Sequence, residues 1–517
     1  MTDRPNVLLI MSDQHNANVM GCAGDPVVQT PNLDALAERG VVLENLYCQA
    51  PLCAPSRMSF LTGMLPSQTG VLTNEQMPSP AHPTFAHSAG AAGYRPYVAG
   101  KMHALGPDQL MGFTGRDVGD HGPNYRGAAA KSPVGRGALA GAMGPNLTSL
   151  EKVGIGRNAY QVRDEFAAEA AISHLRKHSI ESESTGERTP FFVSVGLMLP
   201  HQPYVARAED YARYEGKVAP PAIPGPTTEA DDHPFLVWWR EATGLTGIGG
   251  VPEAVVEKAR TAYWAMVDRM DRIIGTIIDT VAEMGELDNT LIIYTSDHGD
   301  HIGEHGLWWK QTLLDPAAKV PGIISWPDAI PGGTRLNQVC GLVDIAATIV
   351  DAVGGPELPR AAGASLLSSL GDPASAPEGE TICEHCADRN HGNGLGRVEV
   401  PVPFYQRMVR SGRYKYLDYG DHPAQLFDLE ADPGETRNLA EDPQHHEIVT
   451  RLAARARDGW DPEQVMVDTR LSIAESDVVT AWARQTQPAE THRWPMNPVY
   501  NALDEPLSVL PGRGPES

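Results

Sequence analysis

The sequence predicts an α/β protein: a large central, mostly parallel sheet flanked by helices, with a smaller C-terminal α+β subdomain. Three runs predict it. Val7 to Met11, Phe191 to Leu197 and Leu291 to Thr295 are continuous and apolar, the pattern of strands covered on both faces. Each is followed by a polar cluster, Ser12-Asp13-Gln14-His15, Pro200-His201-Gln202-Pro203 and Ser296-Asp297-His298-Gly299-Asp300. Helical patterns separate the runs, as parallel strands require. Open sheets of this class place ligands at the carboxyl ends of their strands. Asp13 and Asp297 are therefore expected side by side at one sheet edge.

The other elements follow in order. Thr30-Pro31 to Arg39-Gly40 reads as a helix, with proline at its first position, Leu33, Leu36 and Ala37 on one face and glycine as its stop. Val41 to Leu46 is the next strand and delivers the chain to Cys53. Thr84 to Gly93 is helical, and Tyr97 to Ala99 is a short strand ending in Gly100-Lys101-Met102-His103. From Gly115 to Lys152 the chain is rich in Gly, Ala and Pro, a long loop that is either a substrate lid or disordered. Helical periodicity returns from Ala159 to His178, and a proline-rich connection runs from Pro203 to Pro252. The clearest helix follows, to Met284, with Met266, Met270, Ile273, Ile274, Ile277 and Val281 as one core-facing stripe. A linker over Gly371 to Gly379 leads to short antiparallel strands at Phe404–Val409, Tyr414–Tyr419 and Leu426–Leu429, then a surface helix from Pro443 to Arg457. The expected division is 1–375, 376–458 and a tail, 459–517. Trp460, Trp482, Trp494 and Tyr500 load that tail with aromatic surface suited to a neighbouring subunit.

Bulk properties narrow the function. With 41 basic and 65 acidic residues in 517, the formal charge is −24, which argues against a nucleic-acid partner. An anionic substrate then needs a local positive pocket. The first apolar run is too short for a signal peptide or a membrane span, so a soluble, cytoplasmic protein is expected. Its 6 cysteines are too few for a disulfide framework in a chain of this size. Cys383-Glu384-His385-Cys386, with His391 nearby, has half the spacing of a zinc site; ordinary reduced thiols are the expectation.

The stretch Cys53-Ala54-Pro55-Ser56-Arg57, running on to Thr62-Gly63, sets a sulfur atom where backbone N–H groups and a cation converge, a place for an anion. It resembles the activation signature of the type I sulfatases of the alkaline phosphatase superfamily. In that family the cysteine is oxidised by a separate formylglycine-generating enzyme. One hydroxyl of the aldehyde hydrate attacks sulfur, and the other later loses its proton and expels inorganic sulfate. Leu426-Phe427-Asp428-Leu429 and Asp432-Pro433-Gly434-Glu435 resemble the family's C-terminal wording.

The resemblance also implies roles. Asp13, Gln14, Asp297 and His298, with the oxygen made at Cys53, would hold one divalent ion, calcium first, with manganese or magnesium as alternatives. Lys101 would hydrogen-bond the sulfate and the formylglycine, and His103 would take the hemiacetal proton. Lys310 matches the sulfate-binding lysine, Arg57 holds the nucleophile in place, and His201 is favoured over Lys310 as the acid for the leaving oxygen. The pairing of Asp13-Gln14 with Asp297-His298 resembles the choline-sulfatase and phosphonate monoester hydrolase branches. Ala92-Gly93-Tyr94-Arg95, Gly106 to Leu110 and Gly306-Leu307-Trp308 extend the likeness to choline sulfatase. A quaternary ammonium would need an aromatic cage and a carboxylate, for which Glu384 and a Trp494 or Tyr500 wall lent by another subunit are the candidates. Arg126, Lys131 and Arg136 would equally suit a sulfated sugar. The leading expectation is hydrolysis of a small sulfate monoester by a homodimer or homotetramer. The alternatives are a phosphonate monoester or phosphodiester hydrolase, and a silent binding protein whose cysteine is never converted.

Overall fold

Strands β1 (Asn6–Asp13) and β8 (Thr290–Ser296) lie side by side in parallel register, Ser12 opposite Ser296, so their polar tips emerge together. In chain order between them come β2 (Val41–Tyr47), β3 (Tyr97–Gly100), β4 (Gly115–Asp117), β5 (Gly154–Arg157), β6 (Phe192–Pro200) and β7 (Val205–Ala206); β9 (Gly322–Ser325) and β10 (Thr334–Gly341) follow. One eight-stranded sheet has the order β10-β2-β9-β8-β1-β6-β3-β4. It is parallel except at β9, which runs against β2 and β8. The computed structural model describes residues 4–128, 137–186, 189–226, 232–245, 250–387 and 404–511.

Alternation along β1 builds a core on each face of the sheet. Val7, Leu9 and Met11 point into one, together with Met58 and Phe60 of the helix Cys53–Thr62 and Ile345 and Ile349 of Leu342–Val353. Leu8 and Ile10 point into the other, against Ala167 and Ala171 of the helix Ala159–Thr185 and the Met266 to Ile277 stripe of Glu253–Glu283. Gly100 and Gly196 let β3 and β6 approach closely: the Lys101 N–H donates to the Gly196 carbonyl at 2.7 Å.

A second sheet, antiparallel in chain order, holds β11 (Glu380–Ala387), β12 (Phe404–Ser411), β13 (Tyr414–Asp418) and β14 (Gln425–Asp428). The helix His446–Arg457 covers it through Leu452 and Ala456. Buried Lys415, 2.7 Å from Asp315 and 2.6 Å from Glu435, ties β13 to the main body.

Several elements differ from the sequence reading. Within the proline-rich connection, Pro234–Thr243 is a helix capped by His233 and burying Phe235, Leu236 and Trp239. The described part of the Gly115–Lys152 stretch holds β4, a turn of helix at Gly137–Leu139 and a short helix at Thr148–Glu151. Arg126 there pairs with Glu75 at 2.9 Å, while Lys131 and Arg136 lie outside the described residues. The tail contains a 25-residue helix, Pro462–Thr486, and ends in β15 (Ala502–Leu503), which pairs with β5 of the same chain. Within this chain, Trp460 packs with Leu72, Cys386 and Met466 under the Arg407 guanidinium, and Trp482 packs on Tyr125 while remaining 46% exposed. Cys383 and Cys386 fall in different core clusters and are free thiols; His391 lies outside the described residues.

A Cβ on Gly196 would run into the Lys101 carbonyl. Gly196→Ala is expected to cost about 1–3 kcal/mol by overpacking and to lower the midpoint of thermal denaturation followed by circular dichroism. An unchanged midpoint would contradict the close β3–β6 approach.

Candidate active site

The tips of β1 and β8 and the first turn of the helix Cys53–Thr62 converge beneath the surface. Asp13, Cys53, Asp297 and His298 offer ligand atoms that all lie within 4.8 Å of one another, and all four residues are buried. The His298 Nδ1–H donates to the Gly299 carbonyl at 2.9 Å, which leaves Nε2 as a lone pair 3.2 Å from Cys53 Sγ. Gln14 sits at φ 65°, with its N–H donating to Asp297 Oδ1 at 3.1 Å. Its Nε2 donates to Gln202 Oε1 and Asp300 Oδ2, both at 2.6 Å. That fixes the amide's orientation and leaves Gln14 Oε1 buried without a partner. An orphaned oxygen on the residue after Asp13, next to a cluster of two carboxylates and an imidazole lone pair, fits a divalent cation.

Cations surround these acids. Arg57 Nε donates to Asp297 Oδ2 at 2.8 Å, and its terminal nitrogens donate to the Ser12 and Lys101 carbonyls, each at 3.1 Å. Ser56 Oγ donates to the Asp297 carbonyl at 2.5 Å, so the two residues after Pro55 both clamp the β8 tip. Lys101 pairs with Asp13 Oδ2. Lys310 Nζ lies 2.9 Å from Cys53 Sγ and 3.1 Å from His298 Nε2. His103 and His201 lie beside the Cys53 thiol and act on its charge, and His201 Nε2 is 4.0 Å from Asp13 Oδ1.

The electrostatics follow from this packing. Burial pushes the Cys53 thiol up, but Lys101, Lys310 and His298 outweigh it and hold the group well below the usual thiol range. Burial and the neighbouring sulfur raise Asp13, yet Lys101, His201 and Lys310 carry it well below an ordinary carboxylate. Burial, then Lys310, lowers His201. A site that stabilises negative charge on residue 53 is prepared for an anionic oxygen at the same place.

The structure thus brings together Asp13, Gln14, Cys53, Arg57, Lys101, His103, His201, Asp297, His298 and Lys310. Three other expected residues stand elsewhere. Glu384 is fully buried, accepting from Ser67 N at 2.8 Å and Ser67 Oγ at 3.1 Å, with Arg407 Nε at 3.3 Å, so both its oxygens are engaged in a structural pair. Trp494 and Tyr500 stack on each other at 6.2 Å, and Trp494 also packs on Phe166 of this same chain. A cavity of about 1120 Å³ between the main sheet and the subdomain, around Asp315, Arg410 and Glu435, includes none of the ten clustered residues. Gln202 and Asp300 went unassigned in the sequence although they sit inside motifs read there. What gives them a role is the Gln14 amide, which only the fold places against them.

A buried cysteine, an acid cluster fit for a cation and a ring of basic side chains, at the carboxyl edge of a mostly parallel sheet, suit a hydrolase of anionic esters. Residues 5–355 match the Sulfatase family, and residues 303–459 match the N-sulphoglucosamine sulphohydrolase C-terminal family. The choline-sulfatase of Rhizobium meliloti is 33% identical over 520 residues, spanning 97% of this chain and 95% of that protein. A multifunctional alkaline phosphatase superfamily protein, PehA of Trinickia caryophylli, is 28% identical over 88% of this chain and 94% of its own length. The crystal structure of the phosphonate monoester hydrolase of Agrobacterium radiobacter superposes with a TM-score of 0.69 at 22% identity, covering 91% of this chain and 96% of that one. The chain belongs to the sulfatase family of sulfuric ester hydrolases.

Gln14→Leu removes the orphaned oxygen. The variant is expected to retain much less than one equivalent of divalent ion after gel filtration, read by elemental mass spectrometry against the parent protein. Equal retention would remove Gln14 from the ligand set.

Proposed function

We propose that this protein hydrolyses sulfate monoesters of a small alcohol, phenol or sugar, choline sulfate first among them, and releases inorganic sulfate. The observation that carries the reading is the placement of Cys53: its sulfur touches Lys310 at 2.9 Å and His298 at 3.2 Å, with His103 and His201 in reach. The likeness to choline-sulfatase along 97% of the chain supports the substrate class. The aldehyde hydrate made from Cys53 by a separate formylglycine-generating enzyme supplies the attacking oxygen, which a cysteine in core packing would not. A divalent ion, calcium first, held by Asp13, Gln14, Asp297 and His298, supplies Lewis-acid stabilisation of charge.

The chain's own side chains do the rest. Arg57 locks Asp297 and the carbonyls of Ser12 and Lys101, so the ligand atoms cannot spread when charge changes. Lys101 and Lys310 offset the negative charge of the sulfate oxygens. His103, on the Cys53 sulfur position, accepts a proton there. The His201 Nδ1–H donates to the Gln202 carbonyl at 2.6 Å, which turns Nε2 toward Asp13 and residue 53; in its imidazolium form, with Nε2 also protonated beside the Asp13 carboxylate, the ring delivers that second proton to the departing oxygen as the S–O ester bond breaks.

The division at 1–375, 376–458 and 459–517 suits this reading, with all ten site residues in the first unit. Val467, Leu471, Val478 and Trp482 leave an exposed apolar stripe on the tail helix, which suits assembly of a homodimer or homotetramer. Six free thiols suit a reducing, cytoplasmic location, and among the described residues no helix is long and apolar enough to cross a membrane.

Protein produced with the maturing enzyme is expected to cleave choline sulfate and 4-nitrophenyl sulfate and to lose activity on chelation, with recovery on adding calcium. Cys53→Ala is expected to fall on the order of 10⁴-fold or more. A clear preference for an aryl phosphonate monoester would transfer the assignment to that chemistry. An unconverted thiol in the Cys53 peptide of native-host protein would support a silent binding protein.

A further inference from the structure

His103 and His201 stand on segments that leave the regular ladder of the sheet. Along β1 and β6 the register runs Met11 opposite Gly196 and then Asp13 opposite Pro200, so β6 carries extra residues at its tip. That bulge brings His201 up to Asp13, but it also removes the Met198 and Leu199 amides from their β1 partners. In a fully enclosed interior such donors must be matched. The match is Asp164, itself buried, early in the helix Ala159–Thr185. Its Oδ1 accepts from Met198 N at 2.8 Å and its Oδ2 from Leu199 N at 2.8 Å. The Met198 carbonyl in turn accepts the His201 N–H at 3.0 Å. Carboxylate, bulge and imidazole backbone are one hydrogen-bonded unit.

His103 is held by a different carboxylate in the same manner. Its backbone is left-handed, φ 59°, and its N–H donates to both oxygens of Asp120 at 3.0 and 3.1 Å; Arg116 pairs with Asp120 at 2.9 Å. Arg163, the residue before Asp164, donates to the Gly119 carbonyl at 2.9 Å. The start of one helix therefore touches the supports of both histidines: Asp164 holds the backbone before His201, and Tyr160 packs edge-on against its ring at 5.7 Å.

We infer that Asp164 is a positioning residue for His201: by accepting the two amides freed by the β6 bulge, it sets the imidazole where it can protonate the departing oxygen. The inference rests on the reading above that His201 is the proton donor. Asp164 touches neither substrate nor reacting atoms, so its signature is that of a misaligned acid.

The test uses the matured holoenzyme and a series of aryl sulfates whose phenols differ in acidity. A positioned general acid is worth about 10²–10⁴-fold, most for the poorest leaving groups. Asp164→Ala is expected to lower kcat on phenyl sulfate by about 10²-fold or more while 4-nitrophenyl sulfate loses on the order of tenfold or less, with KM little changed. His201→Ala should show the same steepened dependence, and the double variant should be no worse than His201→Ala alone. Asp164→Asn, which keeps one acceptor oxygen, should recover part of the loss; it also carries the test if the alanine variant does not fold. Asp120→Asn, acting at His103, should lower all members of the series alike.

A loss with Asp164→Ala that is uniform along the series, or that multiplies with that of His201→Ala, overturns the inference. If His201→Ala itself leaves the leaving-group dependence unchanged, the proton-donor reading fails instead. The crystal structure of the Asp164 variant then decides the positioning claim: a His201 ring in its original place overturns it, and a displaced ring upholds it. Should the parent enzyme prefer phosphonate monoesters, the same series is run on aryl phosphonates.

Discussion

The arrangement depends on one electrostatic constraint: two carboxylates, Asp13 and Asp297, are held side by side where water does not reach. Parallel register forces the proximity, because Ser12 pairs with Ser296 and the next residue on each strand is the acid. Left alone, such a pair would repel and each member would bear a desolvation cost of several kcal/mol. Arg57 meets Asp297 through Nε and approaches Asp13 at 3.5 Å, and Lys101 pairs with Asp13. Removing one partner of a buried pair of this kind typically costs about 3–5 kcal/mol. The basic residues therefore serve the fold whatever they do for an ester, and a cation seated among the acids would relieve the same strain from the other side.

Much of this was legible in the sequence because its signals are local. A continuous apolar run closing on Ser-Asp announces a strand and what stands at its tip, and two such runs in one chain imply that the tips meet. The Cys53 to Arg57 wording carries its own geometry, since Ser56 and Arg57 both reach the Asp297 residue from one helical turn. Lys101, His103, His201 and Lys310 are legible through the resemblance to the sulfatase motifs rather than from strand position, since Lys310 follows no strand end.

What escaped has physical reasons. Asp120 and Asp164 act through backbone amides made available by a left-handed residue and by a bulge, and nothing in a single sequence marks where a ladder will slip. Nothing in the sequence marks Glu384 as engaged; its burial against Arg407 and Ser67 appears only once β11 lies beside β12. The strand β9 has only four residues and little pattern to read. The helix Pro462–Thr486 is long, but its inward face, Met466, Thr469, Ile473, Ser476 and Ala483, is of mixed polarity, so its periodicity is faint.

Every residue of the helix Cys53–Thr62 is shielded from solvent, and Cys53 itself is 2% exposed. The conversion of Cys53 proposed above would therefore have to reach this segment before the sheet closes over it: a chain that folds first would be sealed with its thiol inside.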